Sequence, residues 1–280
     1  MSDFLLWTDK LAQRRQPKTV FFTNTARCGS TLFAKMLDHQ GISVCFGEPR
    51  PLTTLAVGYL EKYWSSSETE TLLKAVITVL RRGVPFDQIC VIKTPSFDSC
   101  LVPLLANVFP EIKHVFMFRK NGLDSVERMI VQVGEFMHSL LPLYSISPAL
   151  SAALSWAFIG SANRFMRVIK PRNMKEWAAI LYASPYADYL KNKHLFCLPV
   201  IWYESIMTDT ETTLRPIFRE LGLPEEKIRE ALLCLNEDSQ RDTVLSRTSM
   251  KNVRATKMTE ATRARLDEIA NVIGVPKDIF

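Results

Sequence analysis

The chain has 280 residues, of which 47% are hydrophobic and 23% charged, with a formal net charge of +6. The length suits one large α/β domain or two small ones. The modest positive charge fits an anionic small molecule or an acidic acceptor better than a dedicated nucleic-acid binder. No apolar run approaches the length of a membrane span, and the opening Met1-Ser-Asp-Phe-Leu-Leu-Trp-Thr is too short and wrongly flanked for a secretory signal. The six cysteines, Cys28, Cys45, Cys90, Cys100, Cys197 and Cys234, form no C-x-x-C pair, so neither zinc nor a disulfide framework is expected. A cytoplasmic enzyme with reduced thiols is the expectation, unless an N-terminal anchor precedes this sequence.

Val20, Phe21 and Phe22 open a short apolar strand, and a polar loop from Thr25 to Thr31 leads straight into an amphipathic helix. A helix N-terminus offers unpaired N–H groups and partial positive charge, both suited to an anion. Gly29 allows a close backbone approach, Ser30 and Thr31 supply hydroxyls, and Arg27 adds a planar cation at the mouth. An ordinary strand-to-helix turn would read the same way, and the loop alone does not decide between the two. A nucleotide-hydrolysing loop of the form G-x-x-x-x-G-K-[ST] needs a lysine directly after its second glycine. Here Ser30 follows Gly29 and the cation lies two residues before it, which argues against an ATPase or GTPase.

Gly41 is expected to end the first helix, and Ile42 to Phe46 to form a second strand that carries Glu48 just past its end. Ser67 to Arg82 reads as a helix with a Ser67–Glu70 capping box and an apolar face of Leu72, Leu73, Val76, Ile77 and Leu80, stopped by Gly83. Ile89 to Lys93 is a third strand, ended by Thr94-Pro95. Ser99 to Val108 is expected to be helical, with Pro103 in its first turn. A fourth strand, Ile112 to Phe118, runs into Arg119-Lys-Asn-Gly-Leu-Asp-Ser125, a second anion-ready turn before a helix over Leu123 to Val133. Gly134 to Pro148 reads as loop. Helices are then expected over Ala149 to Val168 and Met174 to Lys191, a strand over Leu195 to Tyr203, and helices over Thr208 to Leu221, Pro224 to Leu235 and Thr259 to Ile273.

Alternating strands and helices predict a parallel sheet with crossover helices, forming one α/β domain over residues 1–280. Such sheets bind ligands outside the carboxyl ends of their strands. Arg27, Glu48, Lys93 and Arg119 each follow or end a predicted strand, so the fold would gather them on one edge, and two anion-ready turns there suit a ligand with two phosphate groups. The segment 241–257 carries Arg241, Arg247, Lys251, Arg254 and Lys257 against a single Asp242. It reads as a basic lid over an anionic ligand or as a solvated loop. No aromatic residues interleave with its charges, as they would in a nucleic-acid patch.

In combination these segments resemble the sulfotransferase superfamily, which uses 3′-phosphoadenosine 5′-phosphosulfate (PAPS). Arg27, Gly29, Ser30 and Thr31 match the family's R-x-G-[ST]-T loop for the 5′-phosphosulfate, with Cys28 where serine is common. Val115 to Ser125 resembles the 3′-phosphate motif, with Arg119 as its arginine. Val200-Ile-Trp-Tyr-Glu-Ser and Phe218-Arg-Glu-Leu-Gly-Leu-Pro224 resemble the Y-E-x-L and F-L-G-[LI]-P segments, so the likeness extends from about residue 18 to 224. Asn121 and Glu127 stand where the 3′ motif usually has proline and serine, with Ser125 as a nearby substitute. Pro95 replaces the histidine base of the cytosolic small-molecule branch, while Phe46-Gly-Glu-Pro-Arg50 resembles the tyrosylprotein branch, whose base is a glutamate.

The resemblance implies a P-loop NTPase-like sulfotransferase fold and in-line sulfuryl transfer to an acceptor hydroxyl or amine, with PAPS as co-substrate and no metal. Glu48 is the implied base, and Arg27 and Lys93 the implied cations at the sulfonate and leaving oxygen. The loop from Arg27 through Cys28, Gly29, Ser30 and Thr31 is the implied 5′ site, Arg119 with Ser125 the 3′ site, and Arg247 a lid residue. The implied acceptor is a small molecule, carbohydrate or peptide. A non-catalytic nucleotide-binding protein of the same fold and a kinase-like phosphotransferase are the alternatives.

Overall fold

A computed structural model describes residues 2–132, 160–241, 243, 246–251, 253 and 258–280. Its centre is a five-stranded sheet in the order β2-β3-β1-β4-β5, parallel throughout. The strands are β1 (Lys18–Asn24), β2 (Ser43–Gly47), β3 (Ile89–Lys93), β4 (Lys113–Phe118) and β5 (Ile201–Trp202). Parallel strands covered on both faces read as unbroken apolar runs, which is what β1, β3 and β4 show. Successive residues of β1 serve opposite layers. Val20 and Phe22 join Val91, Val115 and Met117 on one face. Phe21 joins Cys90 and Ile92 on the other. Phe116 and Phe118 pack into a third cluster with Trp177, Tyr182 and Tyr186.

In chain order the first helices are α1 (Ser2–Ala12), α2 (Ser30–Met36), α3 (Arg50–Leu60), α4 (Ser66–Arg81) and α5 (Val102–Val108). A helix over 122–132 (α6) follows β4. Then come α7 (Asn163–Ile169), α8 (Met174–Asn192), α9 (Tyr203–Thr208), α10 (Thr210–Leu221), α11 (Ile228–Leu233), α12 (Arg247–Met250) and α13 (Glu260–Ile273). Among the described residues no helix is long and apolar enough to cross a membrane. All six cysteines are free thiols.

Several boundaries differ from expectation for physical reasons. The capping box of α4 is Ser65 with Glu68, not Ser67 with Glu70. The Ser65 hydroxyl accepts from the Glu68 N–H, and the Glu68 carboxylate accepts from the Ser65 N–H at 2.8 Å. Three consecutive serines followed by Glu68 and Glu70 satisfy the S-x-x-E pattern in two registers, and the chain adopts the earlier one. Helix α2 stops at Met36, and Gly41, expected to end it, sits in the turn beyond at φ +77°. Ser96–Leu101 winds as a 3₁₀ turn before α5 begins, with Pro103 in that helix's first turn. Of the expected strand Leu195 to Tyr203, Ile201–Trp202 forms the strand beside β4, and Phe196 adds one isolated bridge to His114. Pro199 offers no N–H to a ladder, and Tyr203 already opens α9. Helices α1 and α3 were not expected. The expected loop over 134–148 and most of the helix over 149–168 lie outside the described residues, as does residue 133, the end of the helix expected after β4.

The sheet order places β1 at the reversal point. The chain leaves β1 toward β2 and β3 on one side, then crosses to β4 and β5 on the other. A crevice forms at the carboxyl ends where such a reversal occurs, and the β1–α2 loop sits over it.

Candidate active site

Asn24, Gly47, Lys93, Phe118 and Trp202 end their strands on one edge of the sheet. The register aligns Gly47 and Phe22 with Lys93, and Trp202 with Phe118. Side chains just past these ends line one cleft of about 930 Å³. Arg27, Gly29, Ser30 and Thr31 come from the β1–α2 loop, Glu48 from the turn after β2, Lys93 from the end of β3 and Arg119 from the turn after β4. The fold thus brings together most of the residues singled out from sequence.

Lys93 is almost fully buried, and its ammonium donates to the half-exposed Glu48 carboxylate. The Glu48 N–H also donates to the Lys93 carbonyl at 2.7 Å, so backbone and side chain hold these two residues together. Glu48 takes a left-handed backbone (φ +53°), and so does Arg27 (φ +63°). Two non-glycine residues in that sparsely populated region within one cleft mark a locally strained site. Arg27 donates through Nη2 to Gln132 of α6, while its buried Nε has no hydrogen-bond partner among the described residues. Burial lowers the affinity of its guanidinium for the proton, and the Glu48 charge opposes that effect.

Gly29 caps α2 at φ +84°, with no side-chain cap. The Tyr203 ring lies against it, and on this ring the Arg119 guanidinium rests 4.7 Å from the centroid. Arg119 also approaches Asp124 at 3.9 Å, and its buried Nε has no partner. The Thr31 hydroxyl accepts from Gln240 Nε2 at 2.9 Å, which ties the loop to the chain after α11.

Two residues of the expected 5′ and 3′ sites face elsewhere. The Cys28 side chain is buried among apolar residues beneath the loop, where burial pushes its thiol up to about 11. Its position is explained by packing, and a neutral thiol is a poor nucleophile. Ser125 is fully buried and donates to the Asn121 carbonyl at 3.4 Å, turned into its own helix. Helix α12 reaches the cleft through Met250. The Arg247 side chain, together with residues 242, 244, 245, 252 and 254–257 of the expected lid, lies outside the described residues.

Sequence reasoning assigned no site role to Arg50, Thr53 and Thr54 on α3, Phe97 after β3, Arg128 and Gln132 on α6, Trp177 and Leu181 on α8, or Tyr203 and Gln240. All of them line the cleft. Tyr203 had a usable signal, since it ends an expected strand and lies in the segment that resembles Y-E-x-L. Gln240 and Trp177 had none. Among the described lining residues five are cationic (Arg27, Arg50, Lys93, Arg119 and Arg128) and one, Glu48, is acidic. The described lining of the cleft is therefore net positive.

No family model matches the sequence, and no curated protein sequence matches it. Solved structures do match. A sulfotransferase from Mycobacterium avium is 12% identical, with a TM-score of 0.50, over 98% of this chain and 81% of that one. A sulfotransferase from Alicyclobacillus acidocaldarius is 15% identical, with a TM-score of 0.43, over 93% of this chain and 97% of that one. A sulfotransferase domain from the curacin biosynthetic pathway is 13% identical, with a TM-score of 0.48, over 94% and 99%. At such identities the likeness is one of fold, and the Mycobacterium avium structure carries it: the chain has a sulfotransferase fold.

Proposed function

We propose that the protein transfers a sulfuryl group from PAPS to an acceptor hydroxyl or amine. The observation that carries this reading is the single cleft in which the Lys93–Glu48 pair, Arg27 and Arg119 meet at the carboxyl edge of the sheet. The residues present fit such a donor. Arg27 and Arg119, the two cations assigned to opposite ends of the donor, both line this cleft. The excess of positive charge has the sign that a phosphorylated, sulfated nucleotide requires.

When bound, the donor supplies a sulfonate attached to a good phosphate leaving group. The chain supplies position and charge, as in phosphoryl transfer. The N–H groups at the start of α2, with the Ser30 and Thr31 hydroxyls, hold the 5′-phosphate. Arg119 holds the 3′-phosphate. Arg27 lies against the sulfonate. Glu48 accepts the proton of the attacking group, and its bond to Lys93 couples that step to departure of the leaving oxygen. A protonated Glu48 carries no charge, so the Lys93 ammonium is then free to neutralise charge developing on that oxygen.

Transfer of labelled sulfate from PAPS to a panel of sugars, phenols and peptides tests the reading. Glu48→Gln is expected to lower turnover by roughly 10²–10⁴-fold, the usual worth of a general base, while adenosine 3′,5′-bisphosphate binds as before. Arg119→Ala is expected to weaken bisphosphate binding. Tight bisphosphate binding with no transfer to any acceptor would instead indicate a non-catalytic nucleotide-binding protein. Magnesium-dependent ATP binding would indicate a kinase-like one.

A further inference from the structure

Asp98 lies in the 3₁₀ turn Ser96–Leu101, whose Ser96 and Phe97 line the cleft, and it is completely buried. No cation pairs with it among the described residues. Its Oδ2 lies 3.2 Å from the Thr53 hydroxyl, and its Oδ1 is buried with no hydrogen-bond partner among the described residues. Thr53 lines the cleft with Arg50 and Thr54, and the three share one face of α3 through their i, i+3 and i+4 spacing. An unpaired carboxylate in such surroundings is strongly disfavoured. Burial drives the Asp98 carboxyl well above the ordinary carboxylate range; the Thr53 hydrogen bond opposes that shift and the nearby Glu48 charge adds to it, so the balance tilts toward the neutral acid.

A neutral acid has one proton to place. On Oδ1 it would be a buried donor with nothing to accept it, which is expensive. On Oδ2 it donates to Thr53 Oγ1, and an under-used carbonyl-type oxygen is the more tolerable remainder. A hydroxyl that accepts from behind keeps its own proton for the other side. For Thr53 the other side is the cleft.

We propose that Asp98 turns the Thr53 hydroxyl into a hydrogen-bond donor facing the acceptor, and that this donor selects acceptors bearing a second oxygen beside the attacked hydroxyl, the pattern of a vicinal diol or a sugar ring. This rests on the sulfuryl-transfer reading. Asp98 touches no reacting atom and is a positioning residue, acting through Thr53.

The test compares cyclohexanol with trans-1,2-cyclohexanediol as acceptors. The wild type is expected to favour the diol by about tenfold in kcat/KM, the worth of one hydrogen bond. Asp98→Asn keeps the preference, because the amide N–H replaces the acid O–H behind Thr53. Thr53→Val and Asp98→Leu erase it, mainly through KM for the diol, and all three variants retain bisphosphate affinity. Thr53→Val leaves the buried carboxyl in place and so decides the matter even if Asp98→Leu does not fold. Survival of the preference in Thr53→Val, or an Asp98→Asn variant that behaves like Asp98→Leu, overturns the proposal. Equal transfer to both alcohols by the wild type overturns it while leaving sulfuryl transfer intact. Failure to transfer to either alcohol overturns it as well, and failure across the whole acceptor panel removes the sulfuryl-transfer reading with it.

Discussion

Gly29 meets two demands that no other residue satisfies together. Its φ of +84° lies in the left-handed region, and a Cβ there would come within 2.6 Å of Cδ2 of Tyr203. Tyr203 is wedged between the β1–α2 loop and Arg119, so any shift of its ring also moves the guanidinium resting on it. Gly29→Ala is expected to destabilise the fold by roughly 1–3 kcal/mol through overpacking and strain, and to weaken bisphosphate binding in parallel. Thermal melts and calorimetric titration read the two effects. In a Tyr203→Leu background the steric part should shrink and the backbone part remain, so the two substitutions will not add. The glycine itself stands out in the sequence. The reason for it does not, because Tyr203 lies 174 positions away and only the pairing of β4 with β5 brings it to the loop.

At the scale of elements, the two possible capping registers of α4 make distinct predictions. Ser65→Ala removes the acceptor for the Glu68 N–H and should cost about 1 kcal/mol, whereas Ser67→Ala should be close to neutral. Equal losses in urea melts of the two variants would contradict the cap described above. The buried strands were the most legible elements. Ile89–Lys93 matches its expected bounds, because a strand covered on both faces must be apolar throughout. Helix α3 was illegible for the opposite reason. Pro51 and Gly58 both read as breakers, yet Pro51 sits in the first turn, where its missing N–H does no harm. Gly58 is demanded by packing, since a Cβ there would fall 1.9 Å from Cζ3 of Trp64. With α3 unread, the cleft wall formed by Arg50, Thr53 and Thr54 was unread too. Glu48, Lys93 and Arg119 were readable because each ends a strand or directly follows one.

For the molecule as a whole, the sheet that gathers the site also encloses a histidine, and this sets how stability responds to acid. His114 lies on β4 and is 2% exposed, with the rings of Phe21 and Phe196 5.9 and 6.2 Å away. Neither of its ring nitrogens has a hydrogen-bond partner among the described residues. Desolvation holds its pKa down to about 4, against an ordinary value of 6.5. The folded protein therefore keeps His114 neutral over a range in which the unfolded chain protonates it. The unfolded state binds more protons there, so stability must rise with pH across that window. The contribution is fully present above about pH 6.5, and it is lost progressively as pH falls toward 4. A shift of this size corresponds to roughly 3 kcal/mol. Carboxylates in ion pairs also weaken in acid, so the wild-type slope alone does not isolate the effect. The difference between wild type and His114→Leu does, because both chains share every other titrating group. Urea melts at pH 7.5 and 4.5 should show the wild type losing more stability than the variant, by an amount on the order of that figure. Parallel losses in the two proteins would mean that His114 is solvated or partnered in solution. The Phe21–His114–Phe196 packing that joins β1, β4 and the chain before β5 would then have to be looser than described.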